Sequence, residues 1–267
     1  MSEKEKSTPE QVAQIELIDM PLRRPDAVSP WRLNGVNWRV DEGDFWAVGG
    51  LHWTGKSNLL NTAAAINARS RGRLDLFGKN TADMGEEELL SERLRIGMVF
   101  EGDGRLFPHL TVSENIALPL RYQSGRDDEE LEERVWFILD ALGLLEVANN
   151  TPGMIDQGKR RRVALARAAV LRPDILLFDQ PLVGLNYRQL GWWRDLICNL
   201  SRGHELMGDK PVTIVVTTAN LRNWIDHARQ YALLGRGAFK VVGDCKRMKA
   251  CDDPLALELL DTEQTKN

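Results

Sequence analysis

The chain has 267 residues, 43% of them hydrophobic, enough to bury a sizeable core in one or two domains. Charged residues make up 28%, and 22 Gly with 11 Pro are ordinary globular proportions, so wholesale disorder and a collagen-like repeat are excluded. A net charge of −4, from 35 Lys and Arg against 39 Asp and Glu, argues against a broad face built to neutralise nucleic-acid phosphates.

In chain order, residues 1–13 are polar, lack the apolar run of a signal peptide and are expected to form a disordered tail. Order begins near Ile15. Apolar runs predict strands over Ile15–Asp19, Val36–Val40, Phe45–Val48, Arg73–Phe77, Ile96–Phe100, Ile175–Phe178 and Val212–Thr217, with a closing hairpin about Gly235–Gly237. Helical periodicity covers Lys56–Ala68, Gly85–Leu94, Val112–Tyr122, Asp128–Leu142, Gly158–Leu171, Arg188–Ser201 and Leu221–Ala228. The alternation is that of an α/β fold with a mostly parallel sheet. No strand is expected between Phe100 and Asp174, so residues 101–173 read as a helical subdomain inserted in a single domain of residues 14–250, with 251–267 as a C-terminal extension.

Within that subdomain Thr111-Val-Ser-Glu114 spells a capping box, and the acidic run Asp127–Glu133 opens the next helix, where negative charge suits the macrodipole. Cys198, Cys245 and Cys251 are too few and too scattered for a disulfide framework or a zinc site, which fits a reducing compartment. No stretch reaches the roughly 18 apolar residues of a spanning helix, so a soluble cytoplasmic chain is expected. Eight Trp against three Tyr is the one compositional imbalance.

Strand Phe45–Val48 runs into Gly50-Leu51-His52-Trp53-Thr54-Gly55-Lys56-Ser57, followed by Asn58 and a helical pattern. This spacing, between a strand and a helix, is that of a phosphate-binding loop. Its backbone N–H groups cradle phosphates, Lys56 reaches the outer ones and the Ser57 hydroxyl coordinates Mg²⁺. Downstream, Ile175-Leu-Leu-Phe-Asp179 is a buried strand that delivers a carboxylate to the metal shell.

With both motifs in hand, the sequence resembles the ATP-binding cassette (ABC) ATPases over about residues 15–260. "IGMVFEGDGRLFPHLTVSENIALPLR" looks like the Q-loop and coupling region, "RRVALARAAVLRPDILLFDQPLVGL" like the signature helix, Walker B and D-loop, and "VTIVVTTANL" like the H-loop strand. "FDQPLVGLN" and "VGDCKRMKACDDPLALELLDT" look most like the ATPase of phospholipid-trafficking, Mla-type (MCE) systems. The resemblance implies a P-loop NTPase fold, a RecA-like core with the helical subdomain inserted. It also implies ATP and Mg²⁺ as ligands, and a membrane permease docked in the groove between Glu101–Leu110 and the helical subdomain. A second ABC ATPase subunit and a position on the inner face of the cytoplasmic membrane follow from it too, with no nucleic-acid partner.

Carried over residue by residue, the family pattern breaks at most positions that perform chemistry. The Glu normally found after Asp179 is Gln180, and an amide cannot accept a proton from water. The H-loop His aligns with Thr218, the Q-loop Gln with Glu101, and the D-loop Asp with Asn186. The signature segment aligns with Ile155-Asp156-Gln157-Gly158-Lys159, where Asp156 is expected to cap its own helix and repel a phosphate. The basic run Lys159–Arg162 reads as a solvated helix face. Trp53 replaces a loop Gly, and its indole either obstructs the pocket or points outward. No aromatic stands near Met20–Leu22 to stack on adenine; Trp31 is either a substitute there or an ordinary core or surface Trp, and the second reading is favoured.

Because the Walker B and signature faults lie in one chain, neither a homodimer nor a heterodimer containing it keeps an intact site. Hydrolysis is therefore expected to be very slow or absent. Two alternatives stand beside this pseudo-ATPase: an active enzyme with Glu101 as substitute base, and a nucleotide-free scaffold. The apolar stripe of Asp253–Asp261 either grips a neighbouring ATPase subunit, as the resemblance implies, or packs on its own domain.

Overall fold

The computed structural model describes residues 12–23, 32–66, 72–102, 104–123, 128–235 and 237–261. The expected disordered tail therefore lies almost wholly outside the described residues, as do Trp31 and Asp127; Ala13, the last residue of that tail, is buried.

The α/β expectation holds, with one refinement. Strands β3 (Phe45–Gly49), β6 (Ile96–Val99), β7 (Ile175–Asp179), β8 (Thr213–Thr218), β9 (Gln230–Gly235) and β10 (Ala238–Gly243) form a six-stranded sheet in the order β10-β9-β3-β8-β7-β6. All its pairings are parallel except β10 with β9, the closing hairpin. Strands β1 (Ile15–Arg23), β2 (Arg32–Val40), β4 (Arg73–Leu76) and β5 (Lys79–Asn80) instead make a separate antiparallel sheet, ordered β2-β1-β4-β5.

The inner strands are apolar on both faces because the sheet is covered on both sides. In β3, Phe45 and Ala47 join a core with the helical subdomain, whereas Trp46 and Val48 join one with the antiparallel sheet and helix α1 (Lys56–Ala63). Residues of β7 and β8 alternate in the same way. This double burial fixes the carboxyl ends of β3, β7 and β8 side by side, and the candidate site is built there.

Helices α2 (Glu86–Leu94), α3 (Val112–Tyr122), α4 (Asp128–Ala141), α5 (Gln157–Ala169) and α6 (Tyr187–Leu200) fall where the periodicity places them. Thr111 and Glu114 form the predicted capping box, Glu114 Oε2 accepting from Thr111 N at 2.7 Å and Thr111 Oγ1 from Glu114 N at 3.1 Å. The fully buried Asn115, which sequence reasoning passed over, accepts from Phe107 N and donates to the Phe107, Leu110 and Thr111 carbonyls, tying the preceding loop to α3.

Three expectations are corrected. Leu221–Ala228 forms only a short 3₁₀ turn, Leu221–Asn223, followed by turns. The Trp224 carbonyl still accepts from Ala228 N at 2.9 Å, but the carbonyls of Trp224, Ile225 and Ala228 surround the Tyr231 hydroxyl at 2.7–2.9 Å and Trp224 packs edge-on against Phe45, contacts that hold the segment as successive turns. Helix α1 stops at Ala63 among the described residues, where Ala65 takes a φ of 52°. The basic run is not a solvated face: Arg160 donates to Ile155 O, Arg161 to Val183 O and Arg162 to Leu142 O, and Arg161 is buried.

Past β10, Asp244 caps a short helix α7 (Cys245–Lys249) absent from the sequence reading, and Asp253 caps α8 (Pro254–Leu260). Leu255, Ala256 and Leu259 of α8 are buried in the chain's own core, as the second reading of this stripe expects for those residues, whereas Pro254 and Leu257 are exposed. The three cysteines are free thiols, Cys198 buried and the others half-buried.

Candidate functional site

Strand β3 is buried along its whole length and releases the chain at Gly50, whose N–H donates to Thr218 O at the end of β8. Only glycine fits here, since a Cβ would stand 2.5 Å from Leu234 O and 2.7 Å from Thr54 Oγ1. Gly55 enters α1 at a φ of +97°, a conformation glycine adopts without strain. Thr54 Oγ1 closes the turn by donating to Leu51 O at 2.9 Å. The side chain of Lys56 is buried, and its ammonium donates to Gly50 O at 2.7 Å and Leu51 O at 2.6 Å. Burial pushes this ammonium down to about 8, against the upward pull of Asp179 and Glu101.

Asp179 ends β7 with a buried carboxylate whose Oδ1 accepts from Thr217 Oγ1 at 2.8 Å. The next residue, Gln180, has a φ of 48° and donates its N–H to the same Thr217 oxygen at 3.1 Å. Its amide Nε2 donates to Glu101 Oε2 at 2.8 Å, whereas its Oε1 is buried with no hydrogen-bond partner. Glu101 and Gln180, 79 residues apart, are therefore joined directly in the site.

A cavity of about 650 Å³ opens at the loop, lined by His52, Trp53, Thr54, Gly55, Lys56, Ser57, Asn58 and Asn61 together with Glu101, Arg105 and Gln180; Asp179 is not among its lining residues. Its volume is in the range of small-ligand sites. Hydroxyl and carboxylate oxygens such as those of Ser57 and Asp179 suit Mg²⁺, which takes few protein ligands and fills its octahedron with waters and phosphate oxygens. Gly50 and Leu51 belong to the loop but do not line the cavity.

Thr218 is buried and committed to a turn, its Oγ1 accepting from Asn220 N and donating to Asn220 O at 3.0 Å each; it does not line the cavity. Trp53, at a φ of 65°, lies at the cavity rim and is 83% exposed, so its indole is largely outside the pocket rather than plugging it. Asp156 caps α5, accepting from Lys159 N at 2.9 Å as its sequence position implied, and Asn186 caps α6 in a reciprocal box with Gln189. None of Asp156, Gln157, Gly158 and Lys159 lines the cavity. Arg105 was not singled out from sequence; only the path of the loop after β6 brings it there.

Residues 33–183 match the ABC transporter family. The intermembrane phospholipid transport system ATP-binding protein MlaF of Escherichia coli is 30% identical over 228 residues, covering 85% of this chain and 82% of MlaF. The spermidine/putrescine import ATP-binding protein PotA of Protochlamydia amoebophila is 30% identical over 79% of this chain, which spans only 53% of PotA's length. The dimeric ATP-binding cassette MJ0796, solved with ADP and phosphate, superposes with a TM-score of 0.71 at 27% identity, covering 84% of this chain and 95% of that one. The matched stretch spans the phosphate loop at the end of β3, the carboxylate at the end of β7 and the helical insertion between β6 and β7, and the chain belongs to the ABC transporter family as an ATP-binding cassette.

Proposed function

We propose that the chain is the nucleotide-binding subunit of a membrane ABC transport complex that moves lipid, and that it binds Mg-ATP but hydrolyses it very slowly or not at all. Residues 14–250 act as one cassette. The Gly50–Asn58 loop holds the phosphates through its backbone amides and Lys56, and Ser57 with Asp179 holds Mg²⁺. When bound, the ion shields the phosphate charges and templates the ligand. The likeness to MlaF, whose name assigns it to intermembrane phospholipid transport, supports a lipid cargo and a permease partner. Through that permease the subunit sits on the inner face of the cytoplasmic membrane. Among the described residues no helix is long and apolar enough to cross a membrane.

One observation carries the loss of hydrolysis: the side chain that follows Asp179 into the site is an amide, already donating to Glu101. General-base help, worth about 10²–10⁴-fold, is absent at that position. The self-capped α5 start and the committed Thr218 remove two further phosphate contacts that the resemblance implies. The same 2.8 Å bond favours a second reading, in which Glu101 takes the proton from a water held by the free Gln180 Oε1.

Nucleotide binding is tested by titrating the purified chain with Mg-ATP and following tryptophan fluorescence, for which Trp53 at the cavity rim is the natural reporter. Saturable quenching and a raised melting temperature are expected, and Lys56→Ala should weaken binding by about 10²-fold through loss of a charge-assisted contact. No response and no thermal shift in the unaltered chain would leave a nucleotide-free scaffold as the better account.

A further inference from the structure

The loop that follows β6 is held in place from behind. Arg167 of α5, half-buried, donates from Nη2 to Gly104 O at 2.6 Å and from Nη1 to Arg105 O at 3.1 Å. Gly104 passes so close to Ala164 of the same helix that no side chain fits between them. Arg105 is thereby fixed at a φ of 52°, a backbone conformation unfavourable for a non-glycine residue and kept only where its surroundings impose it. Its side chain is exposed to the cavity, with the guanidinium 4.3 Å from the centre of the Phe100 ring, a cation–π contact that orients the fork.

Two cations thus line the cavity, Lys56 from the phosphate loop and Arg105 from the loop after β6, with Glu101 as the one carboxylate among its described lining residues. Lys56 lies buried against the loop's own carbonyls, whereas Arg105 is exposed. An anion in the cavity would meet the loop amides and Lys56 together with a planar, charged fork, groups suited to phosphate oxygens. We propose that Arg105 binds the terminal phosphate of a nucleoside triphosphate held by the loop, supplying from within this chain a second cation to the cavity that Lys56 lines. The inference rests on the proposed nucleotide binding and names a residue that binding has not yet been given.

The test is calorimetric titration of the full chain and its Arg105→Ala and Arg105→Lys variants with Mg-ATP, Mg-ADP and Mg-bound inorganic triphosphate. Arg105→Ala is expected to weaken Mg-ATP and triphosphate by about tenfold or more. Mg-ADP should change by less than about threefold and the melting temperature should stay the same, while Arg105→Lys retains most of the preference for ATP over ADP. Equal weakening of ATP and ADP, or ATP affinity within about twofold of the unaltered chain, would overturn the assignment while leaving nucleotide binding intact. If the unaltered chain binds none of the three ligands, the proposed binding and this assignment fall together.

Discussion

Exchanging the two hydrogen-bonded side chains of the site, Glu101→Gln together with Gln180→Glu, is expected to raise phosphate release from Mg-ATP by about 10²-fold or more. The pair is joined by one hydrogen bond of 2.8 Å, and Gln and Glu have the same shape, so the exchange keeps the bond with donor and acceptor reversed. The turn that aims residue 180 is set by main-chain geometry and by Thr217 Oγ1, neither of which changes. What changes is that the proton acceptor now follows Asp179. The gain should fall at the lower end of about 10²–10⁴ because Thr218 remains committed to Asn220 and Asp156 to its own helix. Gln180→Glu alone should give less, since two carboxylates within hydrogen-bond distance share a proton and the remaining base is weakened. Glu101→Gln alone separates the two readings of the site: it leaves the rate at its floor if Glu101 is not a base, and abolishes measurable turnover if it is. An exchanged protein that binds nucleotide and is no faster than the original would refute the role given to Gln180.

Ending the chain after Ala250 is expected to destabilise the single chain, read as a lowered denaturation midpoint. Two leucines of α8 lose their burial, each worth about 1.5–3 kcal/mol, and the core surface they cover is exposed to water. The lost contacts lie beneath the site: a Cβ on Gly49 would stand 2.9 Å from Leu259 and 2.6 Å from Leu221, and one on Gly235 would stand 2.7 Å from Leu255. Leu259→Ala should cost about 2–5 kcal/mol, whereas Leu257→Ala, at a position 57% exposed, should stay within about 0.5 kcal/mol. A tail that served only to grip another subunit would show the opposite pattern, with weakened association and an unchanged midpoint.

Much of this was legible in the sequence because the signals were local. The loop spacing from Gly50 to Ser57, the box at Thr111 and Glu114 and the cap at Asp156 each depend on residues a few positions apart, and each appears in the structure as read. What failed depended on distant partners. The helical pattern at Leu221–Ala228 yields to the hydroxyl of Tyr231 and the packing of Trp224 on Phe45. The arginines after Lys159 look solvated until the carbonyls of Leu142 and Val183 come alongside. The antiparallel sheet gave no warning, since its strands carry the same apolar runs as those of the parallel one. In the site, Gln180 and Glu101 stood out singly as substitutions, but their hydrogen bond, and the arrival of Arg105 in the same cavity, are products of the fold.

The claim that nucleotide is held but not turned over is tested most directly by phosphate release from the purified membrane complex at saturating Mg-ATP, with the Lys56→Ala complex as baseline. The account predicts a rate indistinguishable from that baseline, or orders of magnitude below the ~1–10³ s⁻¹ usual for enzymes, with the bound nucleotide recovered as ATP. Phosphate release within that range, abolished by Lys56→Ala, would contradict it.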